Sequence, residues 1–205
     1  MELQRLTRVF GIYAGRDKFL RATYAALIIL ATKEKDPEKS KRILAFAKQF
    51  SLARLIFRQC NHPQMLTSVK DSILQLKTSN RIDMLDYFLT TSVTGIYTVY
   101  GFAELIAWLS DAKIIVADSG KWFRWCLYLW LGALATGIVR TIRQIWKKPF
   151  EKSKNEQITL FGFICDFISG ANSLPPGILW SGKLTARQSA TFSFIASAIG
   201  FWKLY

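Results

Sequence analysis

The stretch that decides the fold is WFRWCLYLWLGALATGIV, residues 122–139. As an α-helix it would span about 27 Å, close to the thickness of the hydrocarbon core of a bilayer. Trp122, Trp125 and Trp130 are typical of an interfacial aromatic belt, and Arg124 lies near enough to the same end to reach the headgroups. The stretch therefore predicts a transmembrane helix.

The sequence that follows predicts a second span at the C-terminus. A basic run stops the first apolar stretch: Arg140, Arg143, Lys147 and Lys148. Residues 158–180 are also apolar, but Gly170, Asn172 and two prolines interrupt them, so this segment is expected to be lumenal or re-entrant. The second span is predicted at 188–205.

The charged residues are unevenly distributed along the chain. Residues 1–58 carry 13 Lys and Arg against 5 Asp and Glu, residues 59–120 carry 4 against 6, and residues 121–205 carry 11 against 3, within a net charge of +14. A basic chain that is 51% apolar, with its apolar residues in long runs, favours an anionic membrane over nucleic acid as partner. We predict an all-α protein with a basic amphipathic region, 1–83, followed by a membrane-associated region, 84–205.

Residues 38–58, EKSKRILAFAKQFSLARLIFR, form the clearest basic amphipathic helix. Phenylalanines recur along it and basic residues flank them; the predicted membrane-binding residues are Arg42, Phe46, Lys48, Phe50, Arg54, Phe57 and Arg58. Such a helix suits either a bilayer surface or a helical bundle, and both interpretations stay open. The first helix, with Leu3, Leu6, Phe10 and Tyr13 opposite Arg5 and Arg8, is the alternative lipid-facing element.

Small residues at a spacing of four form two candidate helix-packing faces. The residues are Gly132, Ala133, Gly137, Ala196 and Gly200. Small faces let helices approach closely, which predicts self-association, although pairs of this kind also arise by chance.

The sequence contains no recognisable catalytic or metal-binding motif. There is one histidine, His62, and the three cysteines are far apart. We therefore expect no enzyme activity, no metal and no cofactor. Asp166 lies inside an apolar run, where it is either a functional acid or a cap for the break at Gly170.

Three stretches together resemble the peroxisomal biogenesis factor 11 family, most closely its gamma-type branch. They are GRDKFLR at 15–21, SLARLIFR at 51–58 and DFISGANSLPPGILWSGKL at 166–184. In the first, Gly15 frees the backbone and Asp17 is expected to cap the next helix.

The resemblance implies a peroxisomal membrane protein that is not an enzyme. Such proteins bend and elongate the peroxisomal membrane, self-associate, have cytosolic termini and help to recruit the fission machinery, a dynamin-type GTPase and its membrane adaptors. A solute channel is the alternative, with Asp166, Asn172 and Arg124 expected along its path.

Overall fold

The computed structural model describes residues 2–78 and 83–205, and within them every regular element is a helix. The α-helices are α1 (Glu2–Gly11), α2 (Tyr13–Ala31), α3 (Pro37–Gln59), α4 (His62–Thr78), α5 (Met84–Asp111), α6 (Ser119–Trp146), α7 (Lys154–Ala171) and α8 (Ala186–Trp202). A short 3-10 helix, Phe150–Ser153, precedes α7. The predicted all-α fold is confirmed.

The chain forms two compact units. The first contains α1, α2, α3 up to Phe57, α7 from Ile158 onward, and α8; the second runs from Arg58 to Gln157. These units do not follow the predicted division at residue 83. That division concerned membrane association, and it stays a prediction.

The second unit is built on a hairpin of two antiparallel helices, α5 and α6, each 28 residues long. Asp83 and Asp118 cap the two helices, each accepting a hydrogen bond from a backbone N–H in the first turn. Helix α4 lies against α5, where the hydroxyl of Tyr87 donates to the carbonyl of Ser72 at 3.0 Å.

Helix α6 contains the predicted span at 122–139. Among the helices that the structure describes, it is the one long and apolar enough to cross a membrane, and 33% of its apolar stretch is buried within the chain. The other residues of that stretch are at least partly exposed. Helix α8 has 17 residues and ends at Trp202, so the second span at 188–205 stays a prediction.

Close packing of small residues holds the first unit together. Helices α2 and α8 lie side by side, with Ala25, Ala196 and Ser197 buried. Helix α1 packs back on α2 because Gly15 has no side chain where the Val9 carbonyl lies.

The expectation that Asp17 caps a helix is wrong. The backbone breaks at Ile12, which is extended, and α2 begins at Tyr13. Asp17 therefore lies in the second turn of α2, where its side chain is used in an ion pair described below.

Candidate membrane-binding site

Helix α3 exposes a mixed apolar and basic side, which we call the α3 outer face. It consists of Arg42, Phe46, Ile56 and Phe57, and Lys48 is also exposed, on an adjoining side of the helix. Phe46 and Ile56 are 57% and 51% exposed. Three of the predicted membrane-binding residues belong to this face, and Ile56 is a member that the phenylalanine pattern missed.

The opposite side of α3 faces the protein. Ala47 and Leu55 are buried there. Phe50, one turn after Phe46 on the same stripe, is half-buried with its ring edge-on to Phe46 at a centroid distance of 5.1 Å. Phe50 therefore lies at the edge of the outer face, in contact with Phe46, and is less exposed than Phe46.

Arg54 is committed to an ion pair inside the first unit. Its Nε lies 3.0 Å from a carboxylate oxygen of Asp17, and both side chains are largely buried. Charge that is neutralised in this way contributes little attraction to an anionic bilayer, so the structure gives Arg54 a part in holding α3 to α2.

Arg58 likewise forms an ion pair within its own unit, the second one. Its guanidinium lies 2.9 Å from a carboxylate oxygen of Glu104 and donates to the hydroxyl of Tyr100 at 2.7 Å. That hydroxyl in turn donates to Glu104 at 2.7 Å. Arg58 and Tyr100 together satisfy the buried carboxylate of Glu104, which would be costly if left unpaired.

A second buried ion pair joins α2 to α7. Arg21 and Asp166 are 2.6 Å apart, with side chains only 10% and 8% exposed. Asp166 therefore pairs with a base inside the first unit, and it does not cap the break after α7, since that helix continues to Ala171. Nearby, Lys18 lies over Gly200; burial lowers the pKa of Lys18, and the charge of Arg21 lowers it further.

Ion pairs also close the open end of the α5–α6 hairpin. Arg140 lies 3.3 Å from Asp86, and Arg143 lies 2.9 Å from Asp83, which also accepts a short hydrogen bond from Lys147. That bond is the main reason why the pKa of Asp83 falls from its ordinary value of 3.8 to about 2. Part of the basic run after the predicted span is thus neutralised by acids of α5.

A family model described as peroxisomal biogenesis factor 11 (PEX11) matches residues 3–159. The chain belongs to this family. Peroxisomal membrane protein 11C of Homo sapiens is 23% identical over 98% of this chain and 93% of its own length. Peroxisomal membrane protein 11C of Mus musculus is 26% identical over 88% of this chain and 85% of its own length. No solved structure matches.

Family and relatives together make the chain a PEX11-family peroxisomal membrane protein that takes part in peroxisome biogenesis, and the predicted likeness to the gamma-type branch is confirmed. The three stretches that carried the resemblance meet in the first unit. Asp17 of the first pairs with Arg54 of the second, and Arg21 of the first pairs with Asp166 of the third. In this PEX11 protein those stretches therefore hold α2, α3 and α7 together.

The small-residue faces of this PEX11 protein differ in what they contact. Ala133, Gly137 and Ala196 are buried within the chain, and a side chain at Gly200 would displace the side chain of Lys18. Gly132 alone of the five predicted packing residues is exposed, and a methyl group there would meet open space.

Two of the three residues expected along a channel are used for internal contacts. Asp166 is paired with Arg21, and Asn172 bonds to the backbone of Leu184, whereas Arg124 is exposed on α6. Within the described ranges, 2–78 and 83–205, no three His, Cys, Asp or Glu side chains are grouped as metal ligands.

Proposed function

We propose that this PEX11 protein binds and curves the peroxisomal membrane through the α3 outer face, and so drives peroxisome elongation, proliferation and fission. The observation that carries the proposal is the exposure of Phe46 and Ile56 on the same side of α3 as Arg42. Apolar side chains exposed beside basic ones are the composition that binds a helix in the plane of an anionic leaflet.

The physical mechanism needs no catalytic group. Cations near an anionic surface are worth on the order of 1 kcal/mol each, and burial of apolar area adds roughly 25 cal/mol per Å2. A helix held between headgroups by both effects expands one leaflet relative to the other, and the membrane bends. We propose anionic peroxisomal lipids as the partner of this face.

The remaining parts of the proposal concern assembly and orientation. The protein self-associates through the exposed Gly132 face of α6, its termini face the cytosol, and the elongated membrane recruits a dynamin-type GTPase with its membrane adaptors. Exposure of Gly132, with open space around it, supports the first of these.

The test in cells uses peroxisome shape. In cells that lack their own PEX11 proteins, the wild-type chain should produce elongated peroxisomes. The Phe46→Ser/Ile56→Ser variant should reach peroxisomes yet leave them few, enlarged and unelongated. Leu66→Ser/Ile73→Ser, which removes two equally exposed apolar residues from α4, is the matched control and should behave as wild type. Elongation by the α3 variant would overturn the proposal.

A further inference from the structure

The segment between α7 and α8, residues 172–185, is a loop whose two ends are hydrogen-bonded to each other. The side-chain oxygen of Asn172 accepts from the N–H of Leu184 at 2.9 Å, and its amide nitrogen donates to the carbonyl of Leu184 at 3.2 Å. The backbone carbonyl of Asn172 accepts from the N–H of Gly182 at 3.0 Å. Three hydrogen bonds from one residue close the base of the loop.

Further contacts fix the loop against α7. The indole N–H of Trp180 donates to the carbonyl of Ile168 at 3.0 Å, and its ring lies edge-on to Phe167. Leu174, in the same loop, is buried. The loop is thus a rigid support and not an open connection.

This rigid loop holds two aliphatic side chains outward at its tip. Ile178 and Leu179 are 41% and 57% exposed. Leu179 also has a φ of +51°, in the left-handed region that Gly or Asn adopts more readily than leucine. Neighbouring left-handed positions are glycines, Gly177 and Gly182. A strained leucine that gains little burial within the chain indicates a use outside it.

The charge around the tip has one sign. Residues 167–205 contain no Asp or Glu, and Lys183 and Arg187 are exposed beside the tip and at the start of α8. An open crevice of about 600 Å3 adjoins the loop at the start of α8, and Arg187 lines it together with Leu184 and Phe192. The surface therefore combines exposed aliphatic groups with basic ones and no acid.

We propose that the 172–185 loop is a second bilayer-docking surface, in which Ile178 and Leu179 enter the apolar edge of the headgroup region and Lys183 and Arg187 bind lipid phosphates. The loop lies on a different element from the α3 outer face, and its docking does not require that α3 bends membranes. Anionic phospholipid is the partner because both the charge and the exposed aliphatic pair fit it.

The direct test measures where the tip lies in a bilayer. An environment-sensitive fluorophore is attached to the full chain at Ile178→Cys, in a Cys60→Ser background that leaves the two buried cysteines. The matched probe is Ser173→Cys, exposed at the loop base. The proteins are reconstituted into phosphatidylcholine vesicles with and without phosphatidylserine, and quenching by chain-labelled spin lipids is recorded.

The tip probe should be quenched more than the base probe, and phosphatidylserine should increase the difference. Lys183→Glu/Arg187→Glu should remove that increase, whereas Lys33→Glu/Lys35→Glu, exposed in the turn before α3, should leave it unchanged. A tip probe as accessible to water as the base probe would overturn the proposal and point to a protein partner. Equal quenching with and without phosphatidylserine would overturn it as well.

A second variant separates docking from folding. Leu179→Asn suits the left-handed backbone, so the protein in detergent should melt at a higher temperature than wild type. The same variant should lose most of the quenching at the tip probe, because an apolar contact with lipid is gone. A lower melting temperature would show that Leu179 stabilises the chain itself, which contradicts the proposal.

Discussion

At the residue scale, the Arg21–Asp166 pair gives the sharpest stability prediction. Asp166→Asn leaves a buried guanidinium without its counter-charge, which should cost about 3–5 kcal/mol of unfolding free energy. Arg21→Met/Asp166→Leu removes both charges and should recover most of the loss. Thermal unfolding followed by helical circular dichroism measures both. If the double variant is less stable than Asp166→Asn, the pair contributes more than mutual neutralisation.

Asp83 predicts how the second unit responds to acid. Its pKa of about 2 in the folded chain is below its ordinary 3.8, so its stabilising contribution is present above pH 3.8 and is lost as the pH falls toward 2. Asp83→Asn keeps a good helix cap but removes the charge. Its melting temperature should therefore fall less than that of wild type between these pH values. If the melting temperatures of the two proteins fall in parallel over this pH range, the stabilising role assigned to the Asp83 charge is contradicted.

Gly15 and Gly11 form a matched pair of sites. A methyl group at Gly15 would overlap the Val9 carbonyl, whereas one at Gly11 meets nothing within 4 Å. Gly15→Ala should therefore detach α1 from α2 and speed protease cleavage near the N-terminus, and Gly11→Ala should not. Equal cleavage of the two variants would show that α1 does not depend on this contact.

At the scale of the element, the helices were predictable and the ion pairs were not. Residues 38–58 and 122–139 lie within α3 and α6 because apolar spacing and turn residues mark helices locally. The assignment of Arg54 and Arg58 to the lipid-facing side overlooked Asp17 and Glu104. Those acids are far away in sequence, and helical periodicity carries no information about partners on other helices.

The same limit applies to the small-residue faces. Spacing alone cannot distinguish a glycine that faces another chain from one that faces its own neighbour. Gly132 is exposed, while Gly200 lies under Lys18. Gly132→Leu should therefore weaken crosslinked dimers, Gly132→Ala should weaken them less, and Gly200→Leu should destabilise the first unit. Dimers that survive Gly132→Leu would place the interface on another face.

At the scale of the whole molecule, this PEX11 protein combines a long apolar helix, α6, with basic and aliphatic surfaces on other elements. The central claim is that the α3 outer face bends the bilayer by two separable effects. Charge attraction is screened over about 8 Å at physiological ionic strength, whereas apolar insertion is insensitive to salt. Charge attraction and apolar insertion can therefore each be removed by a separate variant. Lys33→Glu/Lys35→Glu is the charge-matched control, because both lysines are exposed in the turn before α3.

The most direct measurement is tubulation of anionic vesicles by the purified full chain, scored by electron microscopy. Wild type and Lys33→Glu/Lys35→Glu should form tubules at low salt. Arg42→Glu/Lys48→Glu should form markedly fewer, with a deficit that shrinks as salt is raised. Phe46→Ser/Ile56→Ser should form almost none at any salt concentration, although it is still incorporated. Tubulation by that variant at the wild-type level would contradict the account.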